Sequence, residues 1–189
     1  MPKWHLILSF LGVVLLITPS IARCQPLKEV PSYALKPGDK APPIHADFVL
    51  RGPAPSELTW DALRGHIVII DFWATWCPPC LAGLPKVKAA WGKFQARGFE
   101  VIGYSYDSDK PKLEQFLQRN ALGWPQYFHE EGSDSPLAVQ PGPPAYWLVD
   151  KTGRLVDLNG SADLESKIER LLNGKPVYPD KQAKDEARP

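Results

Sequence analysis

The chain has 189 residues, 22 basic and 21 acidic side chains, and a formal charge of +1. At 44% hydrophobic and 23% charged it has the make-up of one folded domain and is short for two. Lys3 is the only formally charged residue in the first 22, so the remainder carries 21 basic and 21 acidic groups, a balance that argues against nucleic acid or an anionic surface as partner.

Residues 1–22 read as a signal peptide. Lys3 gives a basic start, Leu6 to Ile17 is a twelve-residue apolar run, and Ser20-Ile21-Ala22 supplies the small residues of a cleavage site. The run falls short of the roughly 20 residues that span a bilayer. The alternative is an uncleaved anchor, and both readings export the domain. Cys24 follows closely, but Arg23 stands where a lipidation site needs a small residue. Residues 23–43 are proline-rich and polar, the pattern of a linker.

Over 44–60 the sequence predicts an N-terminal β-hairpin: a strand from Ile44 to Leu50, a turn through Gly52-Pro53 and a second strand near Leu58. Ile67 to Trp73 is an apolar run broken only by Asp71, as in a central strand buried on both faces. Leu81, Leu84, Val87, Trp91 and Phe94 recur at helical spacing, and Val101 to Tyr106 supplies the next strand of a βαβ unit. Pro111 opens a second helix with Leu113, Phe116 and Leu117 on one face, and a weaker strand is predicted at 125–128. After a loop over 130–144, Ala145 to Val149 and Arg154 to Leu158 flank a hairpin turn. Leu164, Ile168, Leu171 and Leu172 mark a last helix. The domain is therefore placed at 44–173, and the proline-rich, charged tail 174–189 reads as disordered.

Cys77 and Cys80 are the only closely spaced cysteines, two residues apart. Closing so small a loop removes little entropy from the unfolded chain, so a bridge there is a poor staple and a better reaction centre. The predicted helix begins at about Pro78. Cys77 then lies at its N-terminus, where unsatisfied N–H groups and the macrodipole favour a thiolate, and Cys80 lies one turn further on. Cys77 is expected to be the exposed nucleophile that attacks a disulfide, and Cys80 the thiol that resolves the mixed disulfide. Asp71, an acid inside an apolar strand, should have a raised pKa and is the candidate base for Cys80.

The segment Asp71-Phe72-Trp73-Ala74-Thr75-Trp76-Cys77-Pro78-Pro79-Cys80 resembles the active-site segment of thioredoxin-like proteins, and most closely that of exported TlpA-type thiol-disulfide oxidoreductases. The resemblance runs from about Lys36 to Gly174, includes Gly38-Asp39-Lys40-Ala41-Pro42, and matches Pro85 to a helix-kinking proline. It implies an α/β thioredoxin fold, a central mixed sheet flanked by helices. It also implies a redox-active Cys77–Cys80 disulfide, a cis bond at Pro144 facing that pair, and a monomer acting on protein thiols or disulfides. Some relatives serve cytochrome c maturation, which would require a membrane electron donor. Trp76, Pro78, Pro79, Pro143 and Pro144 are the candidate substrate contacts. Two positions depart from the pattern. Gly83 stands where relatives often carry glutamate, and Pro143 where they usually carry a β-branched residue.

Pro78 and Pro79 lack N–H groups, which leaves a Cys77 thiolate with fewer donors and points to a reductant. The alternatives are a disulfide-forming oxidant, a peroxidase, an inactive scaffold, and a metal-binding module built on the cysteine pair. For the last, no second pair is present, and His5, His45, His66 and His129 show no ligand spacing. No metal and no other cofactor is expected.

Overall fold

The computed structural model describes residues 35–44, 48–50, 58–128 and 142–178. The predicted leader, Cys24, three of the four histidines (His5, His45 and His129), most of the 130–144 loop and the tail beyond 178 lie outside them. Backbone contacts divide the chain after Pro31, and every described residue belongs to the second unit.

Six strands form one mixed sheet. They are β1 (Phe48–Leu50), β2 (Ile67–Trp73), β3 (Phe99–Ser105), β4 (Gln126–Phe128), β5 (Ala145–Val149) and β6 (Leu155–Asp157), in the order β1-β4-β3-β2-β5-β6. The parallel strands β2, β3 and β4 occupy the centre, and β1, β5 and β6 each run antiparallel to a neighbour. Helix α1 (Pro78–Phe94) makes the β2–β3 crossover, α2 (Lys110–Asn120) the β3–β4 crossover, and α3 (Leu164–Leu172) follows β6. This is the thioredoxin arrangement that the active-site segment implies.

The apolar run of β2 is buried at every position. Its alternate residues serve two cores. Ile67, Ile69 and Trp73 face a larger cluster with residues of α1, α2 and α3, while Val68, Ile70 and Phe72 face a smaller one completed by Ala41, Leu58 and Trp147. Each such large side chain contributes about 1.5–3 kcal/mol by leaving water. Helix α1 buries Cys80, Leu84, Val87, Ala90 and Phe94 at three- and four-residue steps. A short 3-10 turn, Gln95–Arg97, ends on Gly98 with φ at +90°, a conformation that glycine adopts without steric cost and that releases the chain into β3.

Three expectations change. The first strand, β1, pairs antiparallel with β4, and Leu58 is buried outside any strand, while the expected turn through Gly52-Pro53 lies outside the described residues. A three-residue strand has too few ladder bonds of its own and takes its partner from tertiary contacts. The expected linker is packed at its end, where Gly38 N–H donates to Leu155 O at 2.7 Å and Ala41 N–H to Gly153 O at 2.9 Å. The packed structure also continues past 173. Val177 is only 8% exposed, and the Tyr178 hydroxyl donates to Asp157 Oδ2 at 2.8 Å. Asp157 in turn accepts from Lys167 Nζ at 2.6 Å. Burial works against the charge on both partners, but the hydrogen bonds between them win. They hold the Asp157 carboxyl below and the Lys167 ammonium above their ordinary values.

Candidate active site

Strand β2 ends at Trp73, and the turn through Ala74, Thr75 and Trp76 delivers the chain to α1. Cys77 is the N-cap of that helix. Its Sγ accepts from Cys80 N–H at 3.3 Å, and the two first helical residues, Pro78 and Pro79, have no N–H to offer. Cys77 and Cys80 are joined by a disulfide.

The turn is tied down from β3. Thr75 N–H lies 3.0 Å from Asp107 Oδ2, the Thr75 hydroxyl donates to Oδ1 at 2.5 Å, and the Ser105 hydroxyl donates to Oδ2 at 2.7 Å. The Tyr106 N–H adds a bond to Trp73 O at 2.8 Å. A buried carboxylate with its lone pairs occupied is a rigid anchor. The sequence reading passes over Asp107. The usable signal is an acid two residues beyond a serine at the end of the strand that runs beside β2.

Exposure around the pair is uneven. Cys77 is 4% and Cys80 1% exposed in the bonded form, while Trp76 is 62% exposed and Pro78 and Pro79 are also open to solvent. The expectation of an exposed Cys77 is thus corrected: its flanking residues take the exposed surface and cover the sulfur. The Pro143–Pro144 bond is cis, and the two prolines run directly into β5. Pro144 and Pro79 together border a cleft of about 260 Å³ whose other walls include Ala82, Gly83, Tyr146 and Ser161.

Asp71 sits on the same face of β2 as Ile69 and Trp73, the face that packs against α1. It is 2% exposed, its Oδ1 has no hydrogen-bond partner, and burial pushes its pKa up to about 7. Directly opposite on β5 is Tyr146. Burial first, and the Asp71 charge second, push that phenol up to about 12, so it stays protonated. The structure also supplies a physical reason for Gly83. A Cβ there would meet Tyr146 Oη at 2.5 Å, so the phenol occupies the space a longer residue 83 would need. Among the described residues no three His, Cys, Asp or Glu side chains stand together where they could share a metal ion.

A family model described as AhpC/TSA matches residues 37–157. A thiol-disulfide oxidoreductase ResA of Geobacillus kaustophilus is 30% identical over 141 residues, which cover 74% of this chain and 78% of that protein. The ResA of Oceanobacillus iheyensis is 26% identical over 72% of this chain and 71% of its own length. Among solved structures, a thiol:disulfide interchange protein DsbE of Chlorobium tepidum superposes with a TM-score of 0.62 at 27% identity, over 74% of this chain and 99% of that one. The thioredoxin domain of a Bacteroides vulgatus thiol-disulfide oxidoreductase superposes with a TM-score of 0.63 at 25% identity, over 74% and 100%.

Proposed function

The chain belongs to the AhpC/TSA family and is a thiol-disulfide oxidoreductase, and on that ground we propose that it works outside the cytoplasm as a reductase of protein disulfides. In this reading residues 1–22 direct export, or stay as an anchor, and the domain acts as a monomer. Cys77 is the attacking thiolate. It forms a mixed disulfide with one substrate sulfur and releases the other as a thiolate. Asp71 takes the proton of Cys80, whose sulfur attacks Cys77 Sγ, frees the second substrate thiol and closes the Cys77–Cys80 bond. Two electrons pass to the substrate, and a membrane donor has to return two. An apocytochrome c haem-site disulfide fits as substrate by resemblance. Exposed Trp76, Pro78, Pro79 and Pro144, with half-buried Pro143, form the ground on which a client segment would lie.

One observation carries the direction. Cys77 caps α1, yet its sulfur accepts from a single backbone donor, Cys80 N–H, because the two preceding helical positions are prolines. A thiolate with few donors is weakly stabilised, and a weakly stabilised thiolate makes a disulfide that is hard to reduce. Equilibration with glutathione or dithiothreitol buffers tests this. The expected potential lies near the thioredoxin end, about −270 mV, and a value near −120 mV would make the protein an oxidant.

A further inference from the structure

Four residues stand in one row across the sheet: Tyr146 on β5, Asp71 on β2, Gly103 on β3 and Gln126 on β4. Registered partners project to the same face, so this row lies beneath the helices that pack on the larger core. Gly103 leaves a slot in it. The Gln126 amide fills that slot so closely that a Cβ at Gly103 would meet Oε1 first, then Cδ at 2.6 Å and Nε2 at 2.8 Å.

The orientation of the amide follows from its neighbour. Trp73 Nε1 donates to Gln126 Oε1 at 3.0 Å, and an indole N–H can only donate, so it selects the amide oxygen and leaves Nε2 free to turn elsewhere. Gln126 is fully buried, and among the described residues its Nε2 has no partner. Asp71 Oδ1 is buried without a partner too. A buried donor and a buried acceptor, both unmatched, thus occupy one row with only a glycine between them. Two strand spacings separate their backbones by roughly 10 Å. The Gln126 amide lies over Gly103 and takes up part of that distance, and no direct bond joins it to Asp71.

We infer that Gln126 is a positioning residue for Asp71, its Nε2–H reaching Asp71 Oδ1 through one bridging water across the slot that Gly103 leaves. The inference rests on Asp71 as the proton acceptor of Cys80. A donor to the carboxylate stabilises its charged form and so opposes burial, which lets Asp71 release its proton at a lower pH than burial alone would set. The other groups facing Asp71 leave this role open. Tyr146 faces it from β5, and the bonded Cys77 and Cys80 at the start of α1 share the larger core with its strand neighbours Ile69 and Trp73. Lys86, Lys88 and Lys93 of α1 are exposed, Lys167 of α3 is held by Asp157, and Asp107 at the end of β3 is held by Thr75 and Ser105.

The test follows the carboxyl carbon of Asp71 and the side-chain amide protons of Gln126 by NMR in the full oxidised chain, from about pH 5 to about pH 9. In the wild type the amide protons should move with the Asp71 midpoint, and in Asp71→Asn they should stay flat. In Gln126→Met the Asp71 midpoint should rise by about one pH unit. Amide protons that stay flat through the wild-type Asp71 titration would overturn the inference without any variant having to fold. Disulfide-reduction rates of Asp71→Asn, measured over the same range, separate the two readings. An unchanged rate with co-titrating amide protons removes the base and keeps the pair. An altered rate with flat amide protons keeps the base and removes Gln126 from its support.

Discussion

Asp71 carries an energetic consequence apart from its proposed role as a base. Its carboxyl titrates at about 7 in the folded chain against an ordinary 3.8, because burial penalises the charge. The folded protein therefore holds a proton over a range where the unfolded chain has already released it. Folding is favoured below the ordinary carboxylate range, and that advantage fades as pH rises from about 4 to about 7. The full span is on the order of 4 kcal/mol, as an upper limit. Denaturant unfolding of the oxidised protein at the two ends of the range should show the wild type losing stability towards neutral pH, with that loss missing in Asp71→Asn. Parallel pH profiles for the two proteins would mean that the carboxyl is not held protonated by the fold. Cys77 shows the same principle with opposite means: its setting depends on donors that the sequence withholds, through Pro78 and Pro79, more than on any that it supplies.

Between elements, one close fit near the cysteine pair is α1 against β5, where Tyr146 stands over Gly83. Gly83→Glu has to displace the phenol, an overpacking that costs about 1–3 kcal/mol. Tyr146→Ser should cost roughly 3 kcal/mol through the space it empties. The double variant should cost less than the sum by at least about 1 kcal/mol, because the second change makes room for the first. Denaturant midpoints of the four proteins check this, and simple additivity would deny the contact. That fit was not legible in the sequence, although both elements were. The apolar run of β2 and the three- and four-residue spacing of α1 declare themselves through their own side chains. The Tyr146–Gly83, Gln126–Gly103 and Asp107–Thr75 relations depend on strand register and on which face of a helix meets the sheet, and neither is encoded locally. The partner of β1 escaped for the same reason, since three residues pair with a strand almost 80 positions away. The cysteine pair, its tryptophan and its prolines were legible because they are contiguous.

For the molecule as a whole, the packed C-terminal segment makes a prediction about where the domain ends. Val177 lies in the larger core, Tyr178 donates to the Asp157–Lys167 pair, and Arg170 Nε donates to Pro176 O at 2.8 Å. A chain stopped after 173 loses one buried valine, the two hydrogen bonds just named and the backbone bonds from Gly174 N–H to Leu171 O and from Lys175 N–H to Arg170 O, on the order of 4 kcal/mol in all. A chain stopped after Tyr178 should unfold at the same denaturant concentration as the full protein, and equal losses in both would place the stabilising contacts further along. The opposite end of the domain has a different job. Residues 38–41 bond along β6, with Leu155 N–H donating to Asp39 O at 2.9 Å and Lys40 bridging Arg154. One border of the sheet is thereby sealed by the chain's own incoming segment, and the other ends in a strand only three residues long. Sheets that offer no long open border resist stacking onto copies of themselves. On the β6 side, the backbone groups that another chain would need for strand addition are already bonded within this one.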